Sequence, residues 1–445
     1  MAHVHLIGIG GSGLSAIARV LWESGYSVSG SDRQASPLAR SLEELGIKVV
    51  YGHKPENVLG ADLVIRSSAI QDNNIEVLTA RAQGAPVLKR SDFLGQLMQE
   101  RLGIAVAGTH GKTTTTAMIA WILTALGHDP TYIIGGVSKN LGVNAHAGHG
   151  QTFVIEADEY DRMFLGLNPE IAVVTNVEHD HPDCYPSPEE YHRSFLEFAG
   201  RLKPEGVLLI CGDNPGAARL GQQAKESGIR VKAYGIEDQG YSYQGVDLSP
   251  NQHGGFAFQA IIREPALPKV ASPDPALLSP IPCNLQVPGV HKVQNALAAI
   301  AVAHQLGLSP ADAARMLAEF QGVGRRFEVM GEAAGIIVID DYAHHPSEIR
   351  ATLSAARSRY PDRSIWAVWQ PHTYSRTRLL LEPFRAAFRE ADHVLVTEVY
   401  AAREPVERDF SAQDVIREMA HPDVRFIKEF DQVVAYLLAS LQPGD

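Results

Sequence analysis

Short apolar runs recur along this chain, each closed by a glycine-rich or acidic turn and followed by a helix-periodic stretch. Val4–Ile9 reads as a buried strand, with a helix from Leu14 to Ser24 and a second strand near Tyr26–Ser29 that ends at Ser31-Asp32. Lys48–Tyr51 and Ala61–Ile65 read as further strands. After a break near Glu100–Gly103 the pattern restarts with Ile104–Ala107 and a helix over Thr115–Leu126, then strands at Phe153–Ile155 and Ile171–Val177. From Gly324 it restarts again, with strands at Gly335–Ile339, Ile365–Trp369 and Val394–Thr397. Strand and helix in alternation predict an α/β protein with parallel sheets, divided into residues 1–100, 101–323 and 324–445. Residues 236–282 break the rhythm: Asp247–Phe258 is hairpin-like, and six prolines between Pro265 and Pro282 predict an irregular surface excursion. Regular structure is expected to resume at Leu285, before an alanine-rich helix through Leu306 that carries Asn295 on its first turn.

Composition narrows the classes. At 445 residues the chain is too long for one core. With 45% hydrophobic and 20% charged residues it has the make-up of a globular protein. A net charge of −12 disfavours nucleic acid or an anionic membrane as partner, so a polyanionic substrate must be held by local groups. Cys184, Cys211 and Cys283 are too few and too scattered for a disulfide framework or a zinc site. No basic and apolar leader and no membrane-length run stands out, and a cytoplasmic location is expected.

Two glycine loops carry the first chemistry. Gly108-Thr109-His110-Gly111-Lys112-Thr113-Thr114 lies between a predicted strand and a predicted helix, the layout that cradles a triphosphate. Its glycines allow the sharp turn, Lys112 can reach the phosphates, and the Thr113 hydroxyl can ligate Mg²⁺. Val106 stands where the ordinary Walker A spacing wants its first glycine, so the loop is a shortened one. Gly8-Ile9-Gly10-Gly11-Ser12-Gly13, with Asp32 downstream, fits a Rossmann-like nucleotide or nucleotide-sugar loop. Ser67 and Ser68 either line that site or cap a helix. A dehydrogenase needs only the first loop along the chain, and a simple ATPase only the second.

Acidic clusters close two central strands: Glu156-Ala157-Asp158-Glu159-Tyr160-Asp161 and Glu178-His179-Asp180-His181-Pro182-Asp183. Most of these seven carboxylates are expected to be solvated, and at least one to ligate metal, because Mg²⁺ takes hard oxygen donors. Asp340-Asp341-Tyr342-Ala343-His344-His345-Pro346 and His372-Thr373-Tyr374-Ser375-Arg376-Thr377-Arg378 close two C-terminal strands. Arg376 and Arg378 sit at a predicted helix start, where the dipole opposes cations, and can clamp a carboxylate or phosphate.

Together with Arg325-Arg326-Phe327-Glu328, these motifs resemble the Mur ligases, ATP-dependent amide-forming enzymes of peptidoglycan synthesis, over essentially the whole chain. The resemblance is strongest to the branch that joins L-alanine to UDP-N-acetylmuramate. It implies an N-terminal Rossmann-like UDP-sugar domain, a central P-loop ATPase-like domain and a C-terminal Rossmann-like domain. It implies a UDP-sugar site at Gly10, Gly11, Ser12, Gly13, Asp32, Ser67 and Ser68. ATP would lie against the residues from Gly108 to Thr114 together with Asn295, Arg326 and Asp341. Thr113, Glu156 and His181 would meet Mg²⁺, and Lys112, Glu156, His181 and His345 would take part in the reaction. Tyr342, Arg376 and Arg378 would border the sugar-acid and amino-acid pocket. His181 or His345 would be the general base, and a monomer or homodimer is expected. Two departures stand out: His291 is followed by Lys292 where relatives carry Asn, and Leu196 occupies the place of a carbamylated lysine, so no carbamate is expected. The alternatives are the family's murein-tripeptide recycling branch and a non-catalytic nucleotide-binding homologue.

Overall fold

The computed structural model describes residues 2–237, 239–263, 279–402 and 404–445. Four sheets follow one another along the chain. The first is five-stranded and fully parallel: β1 (His3–Ile7), β2 (Ser27–Asp32), β3 (Lys48–Tyr51), β4 (Leu63–Arg66) and β5 (Val87–Lys89), in the order β3-β2-β1-β4-β5. The strand order reverses beside β1, so the glycine loop after β1 opens at the switch point where ligands of such sheets lie. Helix Ser12–Glu23 leaves that loop and buries Leu14, Ile17, Ala18 and Leu21, spaced as one helical face.

The central sheet has ten strands: β6 (Leu102–Ala107), β7 (Thr131–Ile133), β8 (Ala145–His146), β9 (Thr152–Glu156), β10 (Ile171–Val174), β11 (Val207–Cys211), β12 (Arg230–Gly235), β13 (Tyr243–Pro250), β14 (Phe256–Ile262) and β15 (Ile281–Asn284). They run in the order β15-β14-β13-β12-β11-β10-β6-β9-β7-β8. The middle strands are wholly apolar because both faces are covered. Ile104 and Val106 pack into one core and Ala105 and Ala107 into the other. The core of Ile104 and Val106 also holds helix Val290–Gln305, which packs on helix Lys112–Ala125 and is buried almost all round. Small alanines let the two backbones approach. Register places the chemistry: β6 lies between β9 and β10, with Val106 opposite Glu156 and Ala107 opposite Val174. Both acidic clusters therefore flank the phosphate loop.

Two sequence expectations shift here. Regular structure resumes at Ile281, not Leu285, because β15 pairs antiparallel with β14 despite carrying Pro282, which sits on a sheet edge where no ladder donor is needed. Asn295 falls on the second turn of its helix, which begins at Val290 behind Gly289. The proline-rich excursion lies largely outside the described residues.

In the C-terminal part, β16 (Glu328–Ala333) and β17 (Ile336–Asp340) form a hairpin. Ala334 and Gly335 both have positive φ, as the two-residue turn that matches strand twist requires. Strands β18 (Trp366–Trp369), β19 (His393–Val396) and β20 (Val424–Phe426) form a parallel sheet. Helices Pro346–Arg359 and Tyr374–Leu379 follow β17 and β18, so their first turns face the carboxyl ends of β6 and β10. Among the described residues no helix is long and apolar enough to cross a membrane, and Cys184, Cys211 and Cys283 form no disulfide.

Candidate functional site

The phosphate loop is shaped by two glycines. Gly108 has φ +133°, and a side chain there would collide with Thr175 at the end of β10. Gly111 is the left-handed N-cap of helix Lys112–Ala125, and a Cβ on it would come 3.0 Å from Asn295 Oδ1. Asn295 is buried against the loop with its Nδ2 unpartnered. Lys112 Nζ donates to the Gly108 and Thr109 carbonyls at 2.6 and 3.1 Å and lies 2.9 Å from Glu159. Burial alone would lower the Lys112 pKa, but Glu159, Asp158 and Glu156 outweigh it and raise it, keeping the ammonium charged. Thr109 serves the scaffold, bonding Glu178 O and Tyr191 OH through its hydroxyl.

Of the expected metal ligands, Thr113 and Glu156 come together: Thr113 Oγ1 donates to Glu156 Oε1 at 3.0 Å, and Gly135 N holds the other oxygen at 2.7 Å. Hydroxyl and carboxylate oxygen side by side, next to the phosphate loop, are a donor set that suits Mg²⁺. His181 stands apart from that pair. It has φ +53°, and its Nε2 faces Glu159 at 3.7 Å and Asp180 at 3.8 Å. Burial pushes its pKa down to about 4. Glu159, fully buried, is pushed up to about 7 by desolvation against the pull of Lys112.

The C-terminal domain closes the cleft. Arg326 and Asp341 line the same cavity as His110, Gly111 and Asn295. Asp341 accepts from the Phe327 and Ala343 amides, both at 2.7 Å, and Arg326 pairs with Glu348 at 3.4 Å. Lys292 also lines it, donating to Thr114 Oγ1 at 3.3 Å, and burial takes its pKa down to about 8. The departure from Asn thus puts a cation in the cleft. His110 is pinned between domains, Nε2 3.4 Å from Glu178 and Nδ1 3.3 Å from Glu348. Burial would lower its pKa, but the two carboxylates raise it to about 9. His345 N-caps helix Pro346–Arg359, its Nδ1 accepting from Ser347 N at 3.3 Å, and burial lowers its pKa to about 4. Tyr342 is half exposed beneath the Arg325 and Arg326 guanidinium groups.

The paired arginines part company. Arg376 is buried and clamps Asp180 across the domain boundary, whereas Arg378 points to solvent, pairs with Glu407 and lies over Phe410. One helical turn cannot aim two residues two apart at the same point, since they lie on opposite faces. Arg378 is therefore not part of the clamp the sequence predicts.

In the N-terminal domain, Asp32 accepts from Gly10 N at 2.8 Å and so braces the glycine loop. Gly11 caps helix Ser12–Glu23, and a side chain at Gly13 would strike the Arg90 guanidinium, which also reaches Asp158 at 3.2 Å. Ser67 braces the turn after β4, where Ser68 is exposed. Neither caps a helix, since Asn74 caps the next one. Arg90, Glu159 and Asp180 are the residues that sequence reading missed. The last two stood one in each of the two flagged acidic clusters, but Arg90 had no motif to mark it.

The comparisons cover the same three parts. Residues 3–102 match the Mur ligase family, catalytic domain; residues 106–303 the Mur ligase middle domain; and residues 325–445 the Mur ligase, glutamate ligase domain. The UDP-N-acetylmuramate–L-alanine ligase of Roseiflexus castenholzii is 42% identical, over 100% of this chain and 93% of its own. The crystal structure of the UDP-N-acetylmuramate-alanine ligase of Thermotoga maritima superposes with a TM-score of 0.79 at 28% identity, covering 100% of this chain and 94% of that one. A murein peptide ligase from Psychrobacter arcticus gives a TM-score of 0.73 at 26% identity, with 100% and 94% covered.

Proposed function

The chain belongs to the Mur ligase family, and on that footing we propose that it joins L-alanine to the carboxylate of UDP-N-acetylmuramate, with ATP converted to ADP and phosphate. The observation that carries the assignment is 42% identity over the full chain to an L-alanine ligase.

The chemistry explains the residues. A carboxylate acylates an amine only after activation, and ATP supplies this by forming an acyl phosphate. The obstacle is repulsion between the carboxylate and the γ-phosphate. Lys112 and the N-terminus of helix Lys112–Ala125 lie where they offset that charge. Thr113 and Glu156 would hold Mg²⁺, which when bound withdraws charge from the transferring oxygens. Asn295 offers a free amide to the nucleotide from the central domain, and Arg326 and Asp341 meet it from the C-terminal one. The UDP-sugar would lie on the glycine loop of Gly10 to Gly13, with Ser67 and Ser68 at the neighbouring strand end. Tyr342 and Arg376 border the place where alanine enters. Of the two candidate bases we favour His181. The one unprotonated nitrogen of neutral His345 already accepts from Ser347 N, whereas both ring nitrogens of His181 are without a good hydrogen bond. Closure by the C-terminal domain keeps water from the acyl phosphate.

The test is phosphate release from ATP with UDP-N-acetylmuramate, compared across L-alanine, murein tripeptide and no amine. Release that needs both the sugar and L-alanine is expected. Release only with tripeptide moves the chain to the recycling branch. Near-normal ligation by Lys112→Ala would sink the mechanism.

A further inference from the structure

Three side chains from three segments converge at the domain boundary, apart from the Thr113–Glu156 pair. They are His110 of the phosphate loop, Glu178 after β10, and His345 at the start of helix Pro346–Arg359. One ring nitrogen of each histidine and one Glu178 oxygen lie within 4.8 Å of one another. His110 Nε2 is 3.4 Å and His345 Nδ1 3.9 Å from the same Glu178 oxygen, and the two rings are 4.5 Å apart. A tetrahedral site with bonds of about 2.0–2.1 Å has ligand-to-ligand edges of about 3.3–3.4 Å. The two edges to Glu178 thus need closing by about 0.6 Å or less, and the edge between the two histidine nitrogens by at most about 1.5 Å.

We propose that His110, Glu178 and His345 form a binding site for a borderline transition-metal ion of the Zn²⁺ class, distinct from the Mg²⁺ position and spanning the central and C-terminal domains. Two imidazoles and one carboxylate are the donor set of an open zinc site and a poor one for Mg²⁺, which wants oxygen alone. The outer contacts fit as well. Glu348 stands 3.3 Å from His110 Nδ1, the usual carboxylate partner on the far nitrogen of a ligating histidine. Ser347 Oγ donates to Glu178 Oε2 at 2.6 Å and fixes the carboxylate. Neither His110 Nε2 nor His345 Nε2 has a hydrogen-bond partner, and an ion would displace the proton that His110 Nε2 presents to Glu178. His345 gives up its 3.3 Å bond from Ser347 N. The simpler reading, a protonated His110 bridging Glu178 and Glu348, makes the ion compete with a proton for one nitrogen and leaves His345 only its helix cap. An ion here would tie the phosphate loop to the C-terminal domain.

The experiment is titration of the full chain with Co²⁺, the visible-absorbing stand-in for Zn²⁺, without nucleotide. One equivalent with the strong visible absorption of a four-coordinate ion is expected, displaced by Zn²⁺ and by no excess of Mg²⁺. His345→Gln and Glu178→Gln should each weaken binding at least tenfold, and His181→Gln should leave it unchanged. If His345→Gln does not fold, His110→Gln serves in its place, with near-ultraviolet circular dichroism as the check on folding. Weak six-coordinate absorption, or binding lost with His181→Gln and kept with His345→Gln, would overturn the proposal.

Discussion

The Arg376 guanidinium grips the Asp180 carboxylate through two parallel bonds, Nε to Oδ1 at 2.7 Å and Nη2 to Oδ2 at 3.2 Å, both side chains 4% exposed. One partner belongs to the central domain and the other to the C-terminal domain, so this pair is a fixed link across the cleft. Burial would raise the Asp180 pKa, but His181 and Arg376 outweigh it and hold the carboxyl far below the usual range. Removing one partner strands the other charge away from water. Asp180→Asn is expected to cost about 3–5 kcal/mol in urea unfolding. Arg376→Lys should also be costly, because a point charge cannot reproduce the planar fork. In a double-mutant cycle with Asp180→Asn and Arg376→Met, strongly non-additive losses are expected; additive losses would refute the link.

Arg378 provides the contrast. Its side chain is 47% exposed and its partner Glu407 is at the surface. Exposed pairs are worth about 0–1 kcal/mol. Arg378→Ala should therefore keep kcat and both substrate KM values within about threefold, against a loss of at least a hundredfold for Arg376→Ala. Equal losses in steady-state assays would put Arg378 back at the substrate.

Glu159 is the carboxylate that sets Lys112. It is fully buried, with Lys112 Nζ at 2.9 Å, Tyr191 OH at 3.3 Å and His181 Nε2 at 3.7 Å. Glu159→Gln keeps the shape and removes the charge that holds the ammonium over the phosphate loop. We expect kcat to fall by about 10²–10³, the scale of losing one preorganised electrostatic group, with a smaller rise in KM for ATP. Glu159→Asp should recover part of it. A normal kcat in Glu159→Gln would reduce the residue to packing.

How much of this was legible beforehand depended on whether a local pattern carried it. The strand–glycine–lysine–helix unit at Gly108–Thr113 is local, and it stands where the apolar runs put it. Glu156 was legible because it ends a strand, and register then places it beside β6. Choosing among seven carboxylates was not possible, because their roles depend on partners far along the chain: Arg376 for Asp180, Ser347 for Glu178. Arg90 against Gly13 is a tertiary approach with no spacing to announce it. Arg378 was misread because a doubled arginine looks like a clamp in one dimension, and helical geometry separates the two. Pro282 hid β15, since a proline-rich string reads as irregular until an edge position is known.

Acid should loosen the central domain through a histidine far from the site. His304 is 3% exposed, its ring edge-on to Tyr243 and its Nδ1 3.0 Å from Tyr243 OH on β13. Burial, helped by Lys232 of β12, lowers its pKa to about 4. Gln305, its chain neighbour, also bonds the Tyr243 hydroxyl and adds no charge. The unfolded chain takes up the proton near pH 6.5, the native one only near pH 4. Between these values the unfolded state binds more protons, so stability is full above about pH 6.5 and declines as pH falls toward 4. The contribution is at most about 3 kcal/mol from this one ring. His5 and His291, lowered to about 4 and about 3 by burial, add to the same slope, so the measurement must be a difference between proteins. His304→Gln can still accept from Tyr243 and cannot titrate. Urea unfolding at pH 7.5, 6 and 5 should show a shallower decline for the variant, the two proteins converging toward pH 5. Parallel declines over that range would mean that His304 stays neutral in both states, or titrates alike in both, and that the acid sensitivity lies elsewhere.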